Sequence, residues 1–252
     1  MSDIKPKVFK VAISIPSEGH TLPESYDNHL VLSFHLGSLQ ERWKTENRPI
    51  QYEFYWYTAG RLLTALAREK LVEQALNAGM DYIFMYDDDM LLPIDCVERL
   101  LIDMEENPKM DVVAPLAFMR NPPHYAVIYT TIEGFDQEKH LPYFINQFVK
   151  KYPKDTLVEC DAVGFGGVLI RMDLVRKMKA PYFFSTTGSG EDIYFCMKSR
   201  QEANARIFMD TRVKLGHLSA PTIIDEAYFE KWVEENKHEI PDVPHKYLNY
   251  ER

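Results

Sequence analysis

The sequence predicts an α/β fold in which a mixed, mostly parallel sheet is flanked by helices. Short apolar runs bounded by proline, glycine or acidic residues alternate along the chain with longer segments of helical periodicity. Such alternation is typical of parallel sheets covered by helices. The 252 residues, 46% of them hydrophobic, suit one large domain, and no repeat or linker divides them. We therefore expect a single domain over residues 1–240 and an irregular tail over 241–252.

The first half of the chain supplies its predicted elements in regular order. β-branched and apolar residues predict a buried strand that ends at Pro16, and alternating aromatic residues predict a second strand. Ala67, Leu71 and Ala75 recur every four residues in a predicted helix that Gly79 would cap. The predicted elements are strands over 8–16 and 50–57, a helix over 61–78, a strand over 81–86, a helix over 93–106 and a strand over 111–118.

The pattern weakens after residue 118. Residues 119–155 contain Pro122-Pro123 and mixed aromatic residues, which predict a long irregular excursion of the kind that often carries function. Beyond this excursion, the patterns predict strand character over 160–171, a helix over 191–203, a strand over 207–215 and a helix over 225–238.

The composition limits the classes of function and the cellular compartments that we expect for this protein. The net charge of −9 argues against a broad nucleic-acid interface, which needs a basic face. Cys96, Cys160 and Cys196 show no zinc-site spacing, and so few cysteines are typical of a reducing compartment. The polar first ten residues lack the apolar region of a signal peptide, and no apolar run has the length of a membrane span. These features predict a soluble, cytoplasmic protein.

The most informative motif is the acidic triplet Asp87-Asp88-Asp89, which directly follows the predicted strand over 81–86. Like charges this close repel one another, and a divalent cation removes the repulsion because carboxylate oxygens are its preferred ligands. Open α/β sheets bind ligands at the carboxyl ends of their strands. The triplet therefore predicts a metal site at that edge. The alternative is a solvated acidic turn that caps the next helix.

A second acidic motif is Gly188-Ser189-Gly190-Glu191-Asp192, at the start of a predicted helix. The helix dipole stabilises an ionised carboxylate there, and such a carboxylate can act as a general base toward an acceptor hydroxyl. The alternative is a plain capping pair.

Two glycine-containing motifs complete the set. His217 follows a predicted strand and Gly216, so its ring can supply a nitrogen ligand to a metal, although a satisfied core or surface histidine is the alternative. Gly164-Phe165-Gly166-Gly167 precedes a predicted strand and permits close approach of a ligand or of another backbone, with a bulge or tight turn as the alternative.

These four motifs, in this order, resemble those of the nucleotide-sugar-dependent glycosyltransferases of GT-A fold. The chain looks most like the inverting family 2 type and its phage-like and microbial relatives. The resemblance covers Val8 to Leu218. It implies a donor half over about 8–118 and an acceptor half over about 119–224.

The resemblance also implies roles in donor and metal binding. Mn²⁺ or Mg²⁺ would be bound by Asp89 and His217, while Asp87 would contact the donor or bind the metal through water. Arg68 corresponds to the arginine of an Ala-Arg-Asn sequence that supports the nucleotide site, although Glu69 stands here in place of the asparagine; the alternative is an ordinary helix-surface arginine. The remaining implied donor-binding residues are Pro16, Ser17, Glu18, Asp88, Gly166 and Gly167.

For the acceptor side, the resemblance implies that Asp192, paired with Glu191, deprotonates the acceptor hydroxyl. Attack from the face opposite the leaving group would invert the anomeric centre, by the logic that separates inverting from retaining glycosidases. Residues 118–123 would form a sugar-side or acceptor-side loop, and residues 183–190 a lid over the donor.

Several alternatives stay open. A retaining glycosyltransferase would carry the same metal motif. A metal-dependent nucleotidyltransferase of related fold usually has a basic, glycine-rich loop after its first strand, whereas residues 16–20 contain one glycine and neither lysine nor arginine. A phosphohydrolase would gather the ligands of two metals. A catalytically inactive sugar-nucleotide-binding protein is the non-enzyme alternative. The expected partners are a UDP- or GDP-sugar and a hydroxyl acceptor, with homo-oligomerisation open and a modified nucleobase among the candidate acceptors.

Overall fold

A seven-stranded sheet forms the centre of the computed structural model, which describes residues 5–17, 19, 21–136, 141–185, 189–219 and 222–240. The elements of the first half are β1 (Lys7–Ser17), α1 (Pro23–Thr45), β2 (Ile50–Gly60), α2 (Thr64–Asn77), β3 (Tyr82–Tyr86), β4 (Met90–Leu91), α3 (Cys96–Glu106) and β5 (Val112–Leu116). Those of the second half are β6 (Ile128–Asp136), β7 (Leu141–Phe148), β8 (Leu157–Cys160), β9 (Ala162–Val163), β10 (Gly167–Arg171), α4 (Met172–Val175), α5 (Glu191–Ala203), β11 (Ile207–Lys214), β12 (Gly216–Ser219), β13 (Thr222–Ile224) and α6 (Glu226–Glu235).

The central sheet has the strand order β2-β1-β3-β10-β5-β11-β8. Strands β2, β1, β3, β5 and β11 run in one direction, and β10 and β8 run in the other. Two small three-stranded sheets, β13-β12-β4 and β7-β6-β9, lie beside it. The predicted fold class, a mixed and mostly parallel sheet flanked by helices in a single domain, is therefore confirmed.

Helices cover both faces of the central sheet. On β3, Tyr82, Phe84 and Tyr86 belong to a core shared with α1 and α3, whereas Ile83 and Met85 belong to a core shared with α2 and α5. All five residues are buried, which explains why this strand is a continuous apolar run rather than an alternating one. The central sheet is thus sandwiched between two helical layers, which leaves the ends of its strands for a ligand site.

Most predicted elements are confirmed, with small shifts of their ends. Helix α5 begins and ends where the sequence predicts. Helix α2 begins at Thr64 rather than at residue 61, because Leu63 has extended backbone and is 77% exposed. Ala78 and Gly79 end this helix, and the positive φ of Gly79, 66°, agrees with its predicted role as a cap.

Two regions differ from the prediction. The sequence reading contains no element between the first two strands, yet α1 spans 23 residues there. Its Leu32, Leu36, Leu39 and Trp43 are buried against the sheet. The predicted irregular excursion over 119–155 instead contains the antiparallel pair β6 and β7, and the predicted tail over 241–252 lies outside the described residues.

Cys96, Cys160 and Cys196 are buried free thiols. Within the described ranges, no helix combines the length and the apolarity that crossing a lipid bilayer requires.

A buried acidic pair joins α3 to β11. Asp103 and Asp210 both bind Arg212, whose Nη2 donates to Asp103 Oδ1 and whose Nε donates to Asp210 Oδ1 at 2.8 Å. Burial, followed by the neighbouring Asp210, raises the pKa of Asp103 to about 7. The folded protein therefore holds a proton on Asp103 that the unfolded chain releases near the ordinary aspartate pKa of 3.8.

We expect Asp103→Asn to flatten the pH dependence of stability. Because the folded pKa is raised, the wild-type free energy of unfolding should fall as pH rises from about 4 to about 7, by about 1 kcal/mol or more. The asparagine variant loses this slope because it cannot ionise. Urea unfolding at about pH 5 and about pH 8 measures the difference. Asp173→Asn, at an exposed ion pair, is the control and should keep the wild-type slope; an equal slope in the Asp103 variant would contradict the assignment.

Candidate active site

The predicted site residues meet at the edge of the central sheet where its parallel strands end. β1 ends at Ser17, β3 is followed directly by Asp87, and β12, which follows β11, carries His217. Two adjoining cavities of about 520 Å³ and about 350 Å³ open there; we call them the larger and the smaller cavity. Both are lined by Thr64, Asp87, Arg120 and His217. This is the edge at which open α/β sheets bind ligands.

Backbone hydrogen bonds fix the acidic turn after β3. The Asp87 N–H donates to Gly166 O at 3.2 Å, which ties the turn to the segment before β10. The Leu218 N–H donates to Asp89 O at 2.9 Å, in keeping with the antiparallel pairing of β12 with β4. This pairing brings His217 next to Asp89, although they are 128 positions apart in sequence.

Helix α1 supports the same turn from the other side. Ser25 Oγ donates to Asp88 O at 2.5 Å, and the Asn28 side chain makes two hydrogen bonds of 2.9 Å with the Leu92 backbone. Ser17 Oγ donates to Asp88 Oδ2 at 2.5 Å, so the middle aspartate is anchored to the end of β1. Sequence analysis missed Ser25 and Asn28, because these contacts exist only once α1 is packed on the sheet.

Arg68 of α2 is the buried link between the two acidic motifs. It is 2% exposed, so the alternative of an ordinary helix-surface arginine is wrong. Its Nη2 donates to Asp87 Oδ1 at 2.6 Å and its Nη1 to Glu191 Oε1 at 2.9 Å. Nη2 also donates to Phe165 O at 3.2 Å. One guanidinium thus holds the end of β3, the start of α5 and the glycine-rich segment together.

Asp192 lies in the first turn of α5, as predicted, and lines the smaller cavity. Its Oδ1 accepts the Ile193 N–H at 2.7 Å. A Cβ at position 190 would lie 2.6 Å from the same Oδ1, so a side chain at this position would displace the Asp192 carboxylate. Burial raises the pKa of Asp192, Arg68 opposes the rise and the charge of Glu191 adds to it. The carboxylate is therefore more basic than an ordinary aspartate.

His217 presents a free nitrogen lone pair to Asp89. Its Nδ1 must donate to Phe118 O, 2.8 Å away, because a carbonyl can only accept. Burial lowers the pKa of His217, which favours the neutral ring with an unprotonated Nε2. This Nε2 lies 3.3 Å from Asp89 Oδ2. Arg120 Nη2 contacts Asp89 Oδ2 and lies 3.4 Å from His217 Nε2.

The ligand chemistry of Asp89 and His217 fits a divalent cation. A carboxylate oxygen and an imidazole nitrogen face each other, and both are lone-pair donors. Among the described residues, no cluster of three or more His, Cys, Asp or Glu side chains is arranged to hold a metal. Two protein ligands still suit Mg²⁺ or Mn²⁺, because such ions commonly take their other ligands from water and substrate phosphates. Asp87, held by Arg68, is oriented toward that arginine instead.

The other predicted donor-binding residues divide between the two cavities. Pro16 and Ser17 line the larger cavity, and Gly166 lines the smaller one. Glu18, and Gly188 of the second acidic motif, lie outside the described residues. Apart from Gly167, the described members of the predicted set therefore gather around one site.

Gly167 differs from this set. It is the first residue of β10, and a Cβ there would lie 3.0 Å from side-chain atoms of both Leu215 and Pro115. Its lack of a side chain is explained by close packing inside the protein rather than by a ligand. A Cβ at Gly167 would thus point into the interior, and its place in the donor-sugar pocket stays a prediction.

Glu69 explains the departure from the Ala-Arg-Asn sequence. Its Oε2 accepts the N–H groups of Tyr182 and Phe183 at 2.8 and 2.9 Å. The Phe183 ring stacks on Phe195 of α5 at a centroid distance of 5.0 Å. Glu69 thereby anchors the start of the segment over 183–190 that was predicted to be a lid, a prediction that remains untested because residues 186–188 lie outside the described ranges.

Comparison with solved structures supports the fold. A197 from STIV is similar with a TM-score of 0.55 and 16% identity, covering 94% of this chain and 99% of that one. UDP-glucose pyrophosphorylase complexed with UDP-glucose scores 0.45 at 9% identity, covering 90% and 99%. S. aureus TarS 1-349 in complex with UDP-GlcNAc scores 0.43 at 12%, covering 79% and 55%. No protein-family model and no curated protein matches the sequence. The TM-score of 0.55 establishes a fold shared with A197. Because the sequence identities are low, the activity has to be argued from the site.

We expect Arg68→Met to destabilise the protein strongly. The substitution leaves Asp87 and Glu191 without their shared cation, and breaking a buried ion pair in this way typically costs about 3–5 kcal/mol. Asp87 is partly exposed, so a loss near the lower end, about 3 kcal/mol, is expected in urea unfolding.

Arg42→Met is the matched control for this experiment. Arg42 pairs with Glu98 on the surface, where removing an ion pair changes stability by about 1 kcal/mol or less. Equal losses in the two variants would contradict a special role of Arg68.

Proposed function

We propose that this protein is a metal-dependent glycosyltransferase that moves a sugar from a nucleoside-diphosphate sugar to an acceptor hydroxyl with inversion. The carrying observation is the Arg68 bridge, which joins the acidic turn after β3 to the start of α5. As a result, Asp87 and Asp192 line one cavity of about 350 Å³, which His217 of β12 also lines. A donor-binding motif and a candidate base are thus within one small space.

The larger cavity suits the nucleoside part of the donor. Its wall combines apolar side chains, Leu22 and Leu62, with the polar groups of Ser17 and Asp88. Small-molecule sites typically pair an apolar lining with a few fixed polar groups. Asp88 is fixed by its hydrogen bonds from Ser17 and through its carbonyl, so it can accept hydrogen bonds from a ribose without rearranging. The diphosphate would then lie toward Asp89 and His217, where the two cavities meet.

Asp192 is the base in this proposal. The acceptor oxygen forms a bond to the anomeric carbon, the bond from that carbon to the diphosphate oxygen breaks, and the hydroxyl proton passes to the Asp192 carboxylate. The raised pKa of Asp192 favours this transfer. A metal ion held by Asp89 and His217 would neutralise the charge that develops on the leaving diphosphate. Glu191 is a positioning residue, since its Oε1 is taken by Arg68.

A nucleotidyltransferase is the second candidate, favoured by the position of Arg61. The Arg61 N–H donates to Ser17 O at 3.0 Å. Its side-chain Cγ lies 3.5 Å from where a Cβ of Gly19 would be. The loop after β1 thus has a neighbouring cation that its own sequence lacks. The two activities can be distinguished by their products. Glycosyl transfer releases a nucleoside diphosphate, whereas nucleotidyl transfer releases or consumes pyrophosphate.

We expect Asp89→Ala to abolish metal-dependent donor binding, because it removes the carboxylate that faces His217. Calorimetric titration of UDP- and GDP-sugars with and without Mn²⁺ measures this. Asp95→Ala, at the start of α3, is the control and should bind like the wild type. Undiminished Mn²⁺-dependent affinity in the Asp89 variant would rule out this metal ligand.

We expect Asp192→Asn to bind the donor with roughly wild-type affinity and to lose turnover by about 10²–10⁴-fold, the usual contribution of general base catalysis. Since water can serve as an acceptor, release of UDP or GDP from the donor provides the assay. Glu191→Gln is the informative comparison, because an amide oxygen can still accept from Arg68 and more activity should survive. Full turnover in Asp192→Asn would exclude it as the base.

A further inference from the structure

A cationic side chain of the protein itself, that of Arg120, lies next to both Asp89 and His217. Asp89 Oδ2 and His217 Nε2 lie 3.3 Å apart, while the other ring nitrogen, Nδ1, lies 2.8 Å from Phe118 O. The guanidinium of Arg120 contacts the carboxylate oxygen and lies 3.4 Å from the ring nitrogen. Arg120 therefore supplies the charge and the protons that these two groups require.

The charge of the two cavities explains why a cation is needed there. Among the described lining residues, five carboxylates face two guanidiniums, a balance of −3: Asp87, Asp88, Asp89, Glu191 and Asp192 against Arg68 and Arg120. Arg68 is already paired with two of the carboxylates. Arg120 is therefore the cation that remains for Asp89.

The backbone around Arg120 is fixed, whereas its side chain is accessible. The Met119 N–H donates to Tyr125 O, and His124 Nδ1 donates to Met119 O, both at 3.0 Å. The buried His124 ring packs edge-on against Trp232 of α6. The Arg120 side chain is 50% exposed and borders both cavities. It can change partners without disturbing the turn that carries it.

We propose that Arg120 is an exchangeable cation that competes with the metal for Asp89 and, when the metal binds, transfers to the diphosphate of the donor. This inference rests on the proposed metal site. Guanidinium groups bind carboxylates and phosphates in the same bidentate way, so the exchange gives Arg120 an equivalent partner. Metal and nucleotide therefore help each other to bind, a positive coupling of the two sites.

The test measures Mn²⁺ affinity from the spin-resonance signal of the free ion, with and without UDP or GDP and in the absence of any turnover. In Arg120→Gln, Mn²⁺ alone should bind at least about fivefold more tightly, because its competitor is gone. The gain in Mn²⁺ affinity caused by the nucleotide should shrink by a similar factor. Arg120→Lys should lie between this variant and the wild type, and Arg42→Gln, on the outer surface of α1, should match the wild type.

Two results would overturn the inference. If Mn²⁺ alone binds Arg120→Gln no more tightly than the wild type, while Asp89→Ala abolishes Mn²⁺ binding, the metal site stands and the exchange is wrong. If neither the wild type nor Arg120→Gln binds Mn²⁺ with nucleotide present, the metal site itself is wrong. Weaker nucleotide binding in Arg120→Gln would then mean that the guanidinium serves permanently in place of a metal.

Discussion

The buried guanidinium of Arg68 is the interaction on which the site depends. Removing a charge from water costs several kcal/mol, and the cost is offset only where partners satisfy the ion. Asp87 and Glu191 do so from two segments that are far apart in the sequence. The acidic turn and the start of α5 are thereby held in a fixed relation. In the proposed reaction, a base on one segment would then act on a substrate bound by the other.

Helix α2 organises the smaller cavity through two successive residues. Arg68 holds the ends of β3 and α5, and Glu69 holds the backbone of Tyr182 and Phe183. The two side chains bind opposite kinds of partner, carboxylates in one case and amide N–H groups in the other. A change in the position of α2 would therefore displace the ends of β3 and α5, which border the cavity, together with the backbone at Tyr182 and Phe183. This arrangement gives Glu69 a structural role at the position where the Ala-Arg-Asn sequence has asparagine.

The order of the elements and the local motifs were predictable because their signals are local. β3 and α5 follow from uninterrupted apolar runs and a glycine-acidic helix start. Helix α1 was missed because its exposed face carries Tyr26, Leu30 and Phe34, which weaken the contrast between its two sides. Tertiary contacts have no such signal: nothing near Arg120 in the sequence indicates Asp89 as its partner. The same holds for Arg68, whose burial depends on segments far away in the chain.

The acidity of the site bears directly on how it can bind an anionic donor. Five carboxylates around two cavities repel a diphosphate, and Arg68 is too fully paired to attract one. The attraction for a diphosphate would therefore have to come from a cation that is bound by these carboxylates. Asp89 and His217 provide the place for it, with Arg120 as its neighbour. In the proposed function, the acidic triplet would thus act on the donor indirectly, by making nucleotide binding conditional on the cation that the triplet would hold.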